Sequence, residues 1–399
     1  MPRSVAELPA GTRLTDHISL GVIAKTFPAD VVERVLAETG RQSKRQRDLP
    51  AHVVVYYVIA LALYLNVSTG EVLRCLLEGI RWLTDPGGLI KVAGRSGISQ
   101  ARSRLGVEPM RLLHDEVVAP IATPATRGAF FHDWRLVSLD GSSLDVADTV
   151  GNEAAFGRPG ASRGHSAYPK IRFVSLVENG THVLFATQVG AYKTSEIALA
   201  AEVVPALAPG MLCLADRGLF SFALWDKATR GGADLLFRIR KDLSLPCLKR
   251  LEDGSYTSRL RPGKAQRDSG AADILVRVVE YALDGVEGSE PSYRLLTTIL
   301  DPAKASAEEL AVLYAERWEI ETALDELKTH LRGPGIVLRS RTPELVVQEF
   351  WGLMMAHFAV RGLMHEAALE QDVDPDRLSY THAVRVIRRK LPLYVLTPP

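Results

Sequence analysis

The first third of the chain repeats hydrophobic positions with the period of amphipathic helices. The pattern predicts helices over 30–38, 51–65, 68–82, 98–105 and 109–118. The second helix is apolar throughout, and its apolar run (residues 53 to 65) is too short to span a membrane, so it is predicted to be buried. Ser68 and Glu71 form a capping-box pattern at the start of the third.

From about residue 129 the pattern changes to short apolar runs that predict strands. One run ends in Asp140-Gly-Ser and another in Asp216-Arg-Gly. Asn179-Gly180 is a two-residue hairpin signal between two further strands. Strands are also predicted over 170–177, 181–189, 234–238 and 294–300.

The stretch between the last two strands is polar and rich in turn residues, and we interpret residues 239–293 as an insertion of short strands. A long helix is predicted from the capping box at Ser306 and Glu309 to about Leu331. A second apolar helix is predicted over 343–369.

Composition restricts the class of protein. The 399 residues include 48 Lys plus Arg and 47 Asp plus Glu, so the net charge of +1 excludes a uniformly basic nucleic-acid-coating protein. The three cysteines form no Cys-x-x-Cys pair, which excludes a disulfide scaffold and a cysteine-rich zinc site. The first residues contain no apolar signal segment, so a cytoplasmic location is expected.

The two strand-end aspartates are the first candidates for chemistry. Ligands bind at the ends of neighbouring strands in buried sheets, and two carboxylates there repel unless a cation neutralises them. Mg²⁺ needs only one or two carboxylates together with substrate phosphate oxygens. The alternative, that Asp140 and Asp216 merely begin turns, stays open at this point.

The long helix carries a second candidate set on a single stripe, and a Leu/Ile stripe beside it is predicted to pack on the sheet. Arg317 and Glu321 could equally form a surface ion pair, which is the competing interpretation. Glu319, Asp325 and Glu326 lie off the polar stripe and receive no role. The polar stripe comprises Tyr314, Arg317, Glu321 and Lys328, and the apolar one Leu313, Ile320, Leu324, Leu327 and Leu331.

At these residues the sequence resembles the DDE transposases of bacterial insertion sequences, in the "insertion sequence four" group. Tyr314-x2-Arg317-x3-Glu321-x6-Lys328 is similar to the Tyr-Arg-Glu-Lys signature of that group. Leu139-Asp140-Gly-Ser, Leu214-Ala-Asp216-Arg-Gly-Leu-Phe220 and the segment from Leu338 to Glu349 are also similar to the family.

The resemblance implies an α/β fold: a ribonuclease-H-like catalytic core, in which helices flank a mixed sheet, with an all-helical N-terminal domain and a β-rich insertion. The expected boundaries are 1–128 for a DNA-end-binding domain and 129–238 with 294–370 for the core. Residues 239–293 form the insertion and 371–399 a basic tail.

The resemblance also implies a metal-dependent reaction. Asp140, Asp216 and Glu321 would be the catalytic residues and would bind two Mg²⁺ or Mn²⁺ ions. The expected reaction is hydrolysis that frees a 3′-hydroxyl at the element's end, hairpin formation, reopening and strand transfer into target DNA.

The near-neutral charge requires that DNA-binding cations be segregated. The residues expected to bind DNA are Tyr314, Arg317, Trp318, Lys328, Lys170, Arg172, Arg45 and Arg47. The aromatic face of Trp318 could receive an unstacked base, although a core position is an equal alternative. The expected partners are double-stranded DNA (terminal inverted repeats and target) and a second copy of the chain in an end-paired homodimer, with no membrane.

Two other functions compete with a transposase. One is a remnant that binds DNA without cutting it, and the complete set of candidate residues argues against decay. The other is a metal-dependent phosphohydrolase or nuclease with the same core, but a small-molecule site needs neither an insertion nor an extra helical domain.

Overall fold

A computed structural model describes residues 21–44, 49–65, 67–84, 93–160, 168–282, 292–315, 317–333 and 335–388, with 78–84 and 315 described by their backbone alone. No helix in these ranges is both long and apolar enough to cross a membrane. The chain builds one sheet, with helices against both faces.

The N-terminal helices follow the predicted pattern. Ser68 Oγ accepts a hydrogen bond from the Glu71 amide (3.2 Å), so the expected cap is formed. The second helix is buried along almost its whole length, as its uniform apolar composition requires. The helices are α1 (Ala29–Glu38), α2 (Ala51–Leu63), α3 (Thr69–Thr84), α4 (Arg95–Leu105) and α5 (Glu108–Val117).

The central sheet has ten strands, and its order is β4-β3-β2-β5-β6-β10-β9-β8-β7, with β1 paired to β2. Strands β2, β5 and β6 run parallel, and the other neighbouring pairs are antiparallel. The strands are β1 (Phe130–Phe131), β2 (Trp134–Asp145), β3 (Lys170–Glu178), β4 (Val183–Ala191), β5 (Met211–Ala215), β6 (Asp234–Arg238), β7 (Lys249–Arg250), β8 (Tyr256–Leu260), β9 (Ile274–Tyr281) and β10 (Tyr293–Thr297).

The prediction that the first core strand ends at Asp140 is wrong. Strand β2 continues to Asp145, because β3 pairs with it along its length and supplies partners for every residue beyond Asp140. Gly141 fits this continuation because a Cβ there would lie 3.1 Å from Val174 and from Glu196. Asp140 therefore stands inside a strand, beside the end of its shorter neighbour β5.

The turn between β3 and β4 is also longer than its Asn-Gly signal predicts. It is a 3₁₀ turn over Asn179–Thr181, followed by His182 in the left-handed conformation at φ 56°. Asn179 is buried and its side chain accepts a hydrogen bond from Ser138 (2.8 Å). Gly180 packs on Ala129, where a Cβ would stand 2.5 Å from the backbone nitrogen. Tertiary packing therefore replaces the short hairpin turn.

The segment interpreted as an insertion contains strands, as predicted, and they extend the same sheet through β10. Arg277 of β9 is fully buried and ion-pairs with Asp253. Asp253 Oδ2 also accepts a hydrogen bond from the amide of Ala307 (2.7 Å), at the start of the next helix. The strand-rich extension is therefore joined to the helix that leads to Tyr314.

The remaining helices cover the two faces of the sheet. They are α6 (Val150–Phe156), α7 (Glu196–Val203), α8 (Phe222–Thr229), α9 (Lys264–Asp268), α10 (Ala307–Ala315), α11 (Trp318–Asp325), a π-helical segment (Glu326–Leu331, called the π segment below), α12 (Pro343–Glu370) and α13 (Tyr380–Arg388).

The predicted long helix from Ser306 to Leu331 is therefore wrong as one continuous element. The capping box is present, since Ser306 Oγ accepts from the Glu309 amide (3.2 Å) and the Ser306 amide donates to Glu309 Oε2 (2.8 Å). Arg317 then forms a turn between α10 and α11.

The two parts of this broken helix belong to different cores. Leu313 packs with Leu136 and Leu214 on one face of the sheet. Ile320 belongs to the larger cluster, which also contains Phe173 and Phe350. The predicted Leu/Ile stripe is therefore divided between two cores.

Candidate active site

Asp140 and Asp216 lie side by side where β5 ends beside its parallel neighbour β2. Leu139 of β2 is opposite Ala215 of β5, so the next residue along each strand is one of the two aspartates. Because side chains alternate along strands, both carboxylates point to the face that Leu136 shares with α10. The structure therefore brings together the two aspartates that the sequence pattern placed at strand ends.

Backbone amides hold both carboxylates in place. Asp140 Oδ1 accepts a hydrogen bond from the Gly141 amide (2.7 Å). Asp216 Oδ1 accepts from the amides of Gly218 (2.8 Å) and Leu219 (3.2 Å). The small residue at 218 suits this turn, because a Cβ there would stand 3.2 Å from Asp216 Oδ1.

The electrostatics of the pair favour a bound cation. The pKa of Asp140 is raised to about 6: burial is the largest cause, the nearby charges of Asp216 and Glu196 contribute, and the Gly141 hydrogen bond and Arg317 oppose the rise. A cation that prefers oxygen ligands would offset both the desolvation of Asp140 and its repulsion with Asp216. The donor set therefore fits Mg²⁺ or Mn²⁺.

Tyr314 and Arg317 connect this pair to the third acidic residue. Tyr314 is buried, and its hydroxyl donates to the carbonyl oxygen of Ala215 (3.3 Å), directly before Asp216. The Arg317 guanidinium lies 5.9 Å from the Tyr314 ring, and its Nη2 donates to Glu321 Oε1 (3.3 Å). Since Arg317 also lowers the pKa of Asp140, it stands between the aspartate pair and Glu321.

The outward residues of α11 and the π segment are accessible. The Glu321 side chain is 46% exposed and Trp318 is 64% exposed. The core alternative for Trp318 is thereby removed. Lys328 is half-buried in the π segment.

Asp140, Asp216 and Glu321 do not form a compact ligand set. Among the described residues, the one group of three or more acidic, His or Cys side chains with ligand atoms all within 4.8 Å of one another is His182, Glu319 and Asp376. That group lies on the inward side of α11. Asp140 and Asp216 could hold an ion between them, and Arg317 connects them to Glu321.

The two predicted DNA contacts on β3 are engaged in ion pairs. Lys170 Nζ lies 2.8 Å from Asp145 Oδ1. Arg172 lies 3.6 Å from Glu196 and donates to the carbonyl oxygen of Thr194 (2.9 Å). Arg45 and Arg47 lie outside the described residues.

The sequence patterns did not predict two residues that lie near the site. Glu196, at the start of α7, lies over Gly141, and its charge reaches Asp140. Glu326 is buried under α11 and pairs with Arg361. No local motif marks either residue, because each contact joins segments far apart in the chain; only the glycine after Asp140 hints at close packing there.

Comparison with known proteins identifies two family regions. Residues 17–115 match the family described as "Insertion element 4 transposase N-terminal", and residues 127–359 match "Transposase DDE domain". The second match covers more than half of the chain and includes Asp140, Asp216 and Glu321. The predicted α/β class, with helices flanking a mixed sheet, is confirmed.

The chain is also similar to individual proteins. The chain is 28% identical over 371 residues to the transposase InsG of insertion sequence element IS4 from Escherichia coli K12, covering 91% of this chain and 80% of that protein. A solved structure of piggyBac transposase in a synaptic complex with hairpin DNA aligns at 13% identity and a TM-score of 0.44, covering 95% of this chain and 83% of that one.

Proposed function

The chain belongs to the DDE transposases of the insertion element 4 family, and we propose that it cuts DNA at the ends of its element and joins those ends to target DNA by metal-dependent phosphodiester chemistry. The observation that carries this proposal is the placement of Asp140, inside β2, beside Asp216 at the end of β5, with Arg317 connecting them to Glu321.

The three carboxylates would hold two divalent ions, Mg²⁺ or Mn²⁺. When bound, such a pair activates the attacking oxygen and stabilises the leaving oxygen of an in-line displacement. The protein's own part is to hold Asp140 and Asp216 side by side and to present Glu321 from an exposed helix that can close on the substrate.

The basic residues of the signature would bind the DNA backbone. Arg317 can exchange its hydrogen bond to Glu321 for a phosphate once that carboxylate binds a cation. Lys328 stands on the same outward side and would contact a second phosphate. Tyr314 has a different task here: its buried hydroxyl anchors the end of α10 to β5, so it positions Arg317 and does not reach DNA.

Trp318 suits a step in which a base leaves the stack. Its ring is exposed beside Glu321, and an aromatic face can receive an unstacked base. We propose that hydrolysis first frees a 3′-hydroxyl at the element's end. This hydroxyl then attacks the opposite strand and forms a DNA hairpin, and Trp318 receives a base at the bend.

The rest of the chain would bind and pair the ends. The helical region before residue 129 would bind the terminal repeat, and Lys170 and Arg172 would contact DNA only after releasing Asp145 and Glu196. Joining two ends requires two active sites, so we propose a homodimer in the end-paired complex.

The test uses a labelled duplex that spans one end of the chain's own element and its flanking DNA. Wild-type protein, Glu321→Gln and Glu308→Gln are compared with Mg²⁺, with Mn²⁺ and with chelator; Glu308 is an exposed carboxylate on α10 outside the site. We expect wild type and Glu308→Gln to cut at the element boundary with metal, and Glu321→Gln to bind without cutting. Hairpin product is read from the same denaturing gel.

Two results would contradict the proposal. Wild-type protein that binds the duplex but never cuts it with either metal would be a DNA-binding remnant. Rapid metal-dependent hydrolysis of a small phosphodiester, without cleavage of the duplex, would indicate a phosphohydrolase.

A further inference from the structure

The inward side of α11 and the π segment carries a second set of charged groups. Glu319 and Glu326 are seven residues apart and share one helical face, away from the outward Glu321. The Glu326 side chain is only 7% exposed, in contrast to the open carboxylate of Glu321. The same short stretch of chain therefore has an open acidic face and a buried one.

Arg361 of α12 binds the carboxylate on the buried face. Its Nε donates to Glu326 Oε2 (2.9 Å) and its Nη2 donates to Glu326 Oε1 (2.8 Å). A two-pronged contact of this kind restricts both rotation and sliding of the residue that accepts it. Glu326 is the first residue of the π segment, so the contact acts where the helix changes its winding.

Arg361 is itself braced by neighbouring elements. Its guanidinium contacts His182 Nδ1, lies 3.9 Å from Asp376 Oδ1 and lies 5.6 Å from the ring of Tyr380. His182 belongs to the β3–β4 turn, and its Nε2 lies 3.1 Å from Asp376 Oδ1. These contacts fix Arg361, and through it Glu326, to the sheet and to the C-terminal helices.

A second arginine holds the other end of the π segment. Arg388 of α13 donates from Nη2 to the carbonyl oxygen of Leu331 (2.6 Å) and from Nε to that of Leu63 in α2. Leu331 is the last residue of the segment, and its carbonyl is among those a helix end leaves without a helical partner. Both ends of the π segment are thus fixed by arginines from C-terminal elements.

A metal ion does not fit this inward cluster, although His182, Glu319 and Asp376 approach one another closely. Arg361 presents a donor to His182 Nδ1, which makes Nδ1 the acceptor and leaves the ring proton on Nε2. A protonated Nε2 has no lone pair for a cation. The cluster is therefore a set of charge contacts and not a ligand set.

The held segment matters because Lys328 lies inside it. A π-helical winding uses more residues per turn than an α-helix, so it changes the direction of Lys328 relative to Glu321. We propose that Arg361 and Arg388 are positioning residues that clamp the π segment and thereby set where Lys328 stands beside the active site. The role assigned to Lys328 rests on the proposed function.

The first experiment needs no DNA. Arg361→Lys and Arg388→Lys keep the positive charge but lose the planar, multi-pronged donor geometry. Arg277→Lys is the matched control, because Arg277 is a fully buried arginine that ion-pairs with a carboxylate, Asp253, in the strand-rich extension. We expect amide hydrogen exchange over 326–332 to become about tenfold faster in the two clamp variants and to stay unchanged in the control.

The second experiment asks whether the clamp acts through Lys328, using cleavage of the labelled duplex. Each clamp variant is combined with Lys328→Gln. If the clamp positions Lys328, Arg361→Lys lowers the cleavage rate about tenfold in wild type but less than about threefold in the Lys328→Gln background, while Arg277→Lys has the same effect in both.

The results separate the two hypotheses. Unchanged exchange over 326–332 in both clamp variants, or losses of rate that are fully additive with Lys328→Gln, would overturn the clamp. Wild-type protein that fails to cleave the duplex would overturn the proposed function, and the exchange measurement would still decide whether Arg361 and Arg388 hold the π segment.

Discussion

The two faces of α11 and the π segment each carry a carboxylate paired with an arginine, but the two pairs serve opposite purposes. On the outward face, Glu321 is half in solvent and its contact with Arg317 is a single long hydrogen bond. On the inward face, Glu326 is buried and held by two short hydrogen bonds from Arg361. Glu321, which we propose binds a cation, is only weakly neutralised by its partner, whereas Glu326, which we propose anchors the π segment, is fully paired. Substitutions on the two faces should therefore separate activity from stability.

The largest effect is expected from Glu321→Gln. Because the side chain is exposed and weakly paired, its loss should leave the free energy of unfolding within about 0.5 kcal/mol of wild type. Cleavage should fall by roughly a thousandfold or more, since a neutral amide no longer holds a divalent ion. Thermal unfolding and a duplex cleavage assay measure the two quantities, and a loss of stability of several kcal/mol would contradict the comparison.

Arg361→Met tests the inward face. Removing the guanidinium leaves the Glu326 carboxyl buried without its partner, and breaking a buried pair in this way typically costs about 3–5 kcal/mol of unfolding free energy. Arg317→Met is the outward counterpart and should cost less than about 1 kcal/mol, because its ion pair with Glu321 is partly exposed. Chemical denaturation of both variants checks the difference; equal losses would mean that burial does not distinguish the faces.

Asp253→Asn examines a paired carboxylate in another region, the junction between the strand-rich extension and α10. Burial opposes ionisation of Asp253, but hydrogen bonds from Ser255 and Ala307 and the charge of Arg277 together hold its pKa below the ordinary value. The variant should lose about 1.5–3 kcal/mol of stability at neutral pH.

The pH dependence of that loss has a definite sign. A lowered folded-state pKa means that the stabilisation by Asp253 is present above the ordinary aspartate pKa of about 3.9 and disappears as pH falls through the folded value. Wild type and Asp253→Asn should therefore converge in stability below about pH 4. Denaturant melts across the acid range measure this, and a difference that persists in acid would contradict it.

Trp318→Ala is expected to give the smallest effect. The ring is exposed, so folding stability should not change, while loss of a stacking surface should cost about 1–3 kcal/mol in the step that needs an unstacked base. Trp318→Phe should restore most of the hairpin product in a cleavage time course. An equal defect in Phe and Ala variants would argue against stacking.

Sequence alone predicted the helices before residue 129 and most core strands, because their periodicity and caps are local. It placed Asp140 and Asp216 together because each follows a buried apolar run. It was wrong about the continuous helix through Arg317 and the end of β2 at Asp140. Those features depend on which core each part of the broken helix packs into and on the pairing of β2 with β3, and neither leaves a local signal.

The buried ion pair of Glu326 and Arg361 could not be predicted from the sequence for the same reason. Glu326 stands off the stripe of the signature, and periodicity assigns it no role. Its partner Arg361 is 35 residues away in a helix that is apolar on most sides. A contact of this kind follows from the packing of two helices and not from the spacing within either one.

The edge-to-edge joining of the extension to the core has a consequence for protein engineering. Strands β7 to β10 continue the hydrogen-bonded ladder that begins at β6. Excising residues 239–297 would therefore uncover the long edge of β6, with its unpaired amides and carbonyls, and open edges of this kind recruit other chains. A shortened protein would need a new edge strand or a charged, bulged border to stay monodisperse.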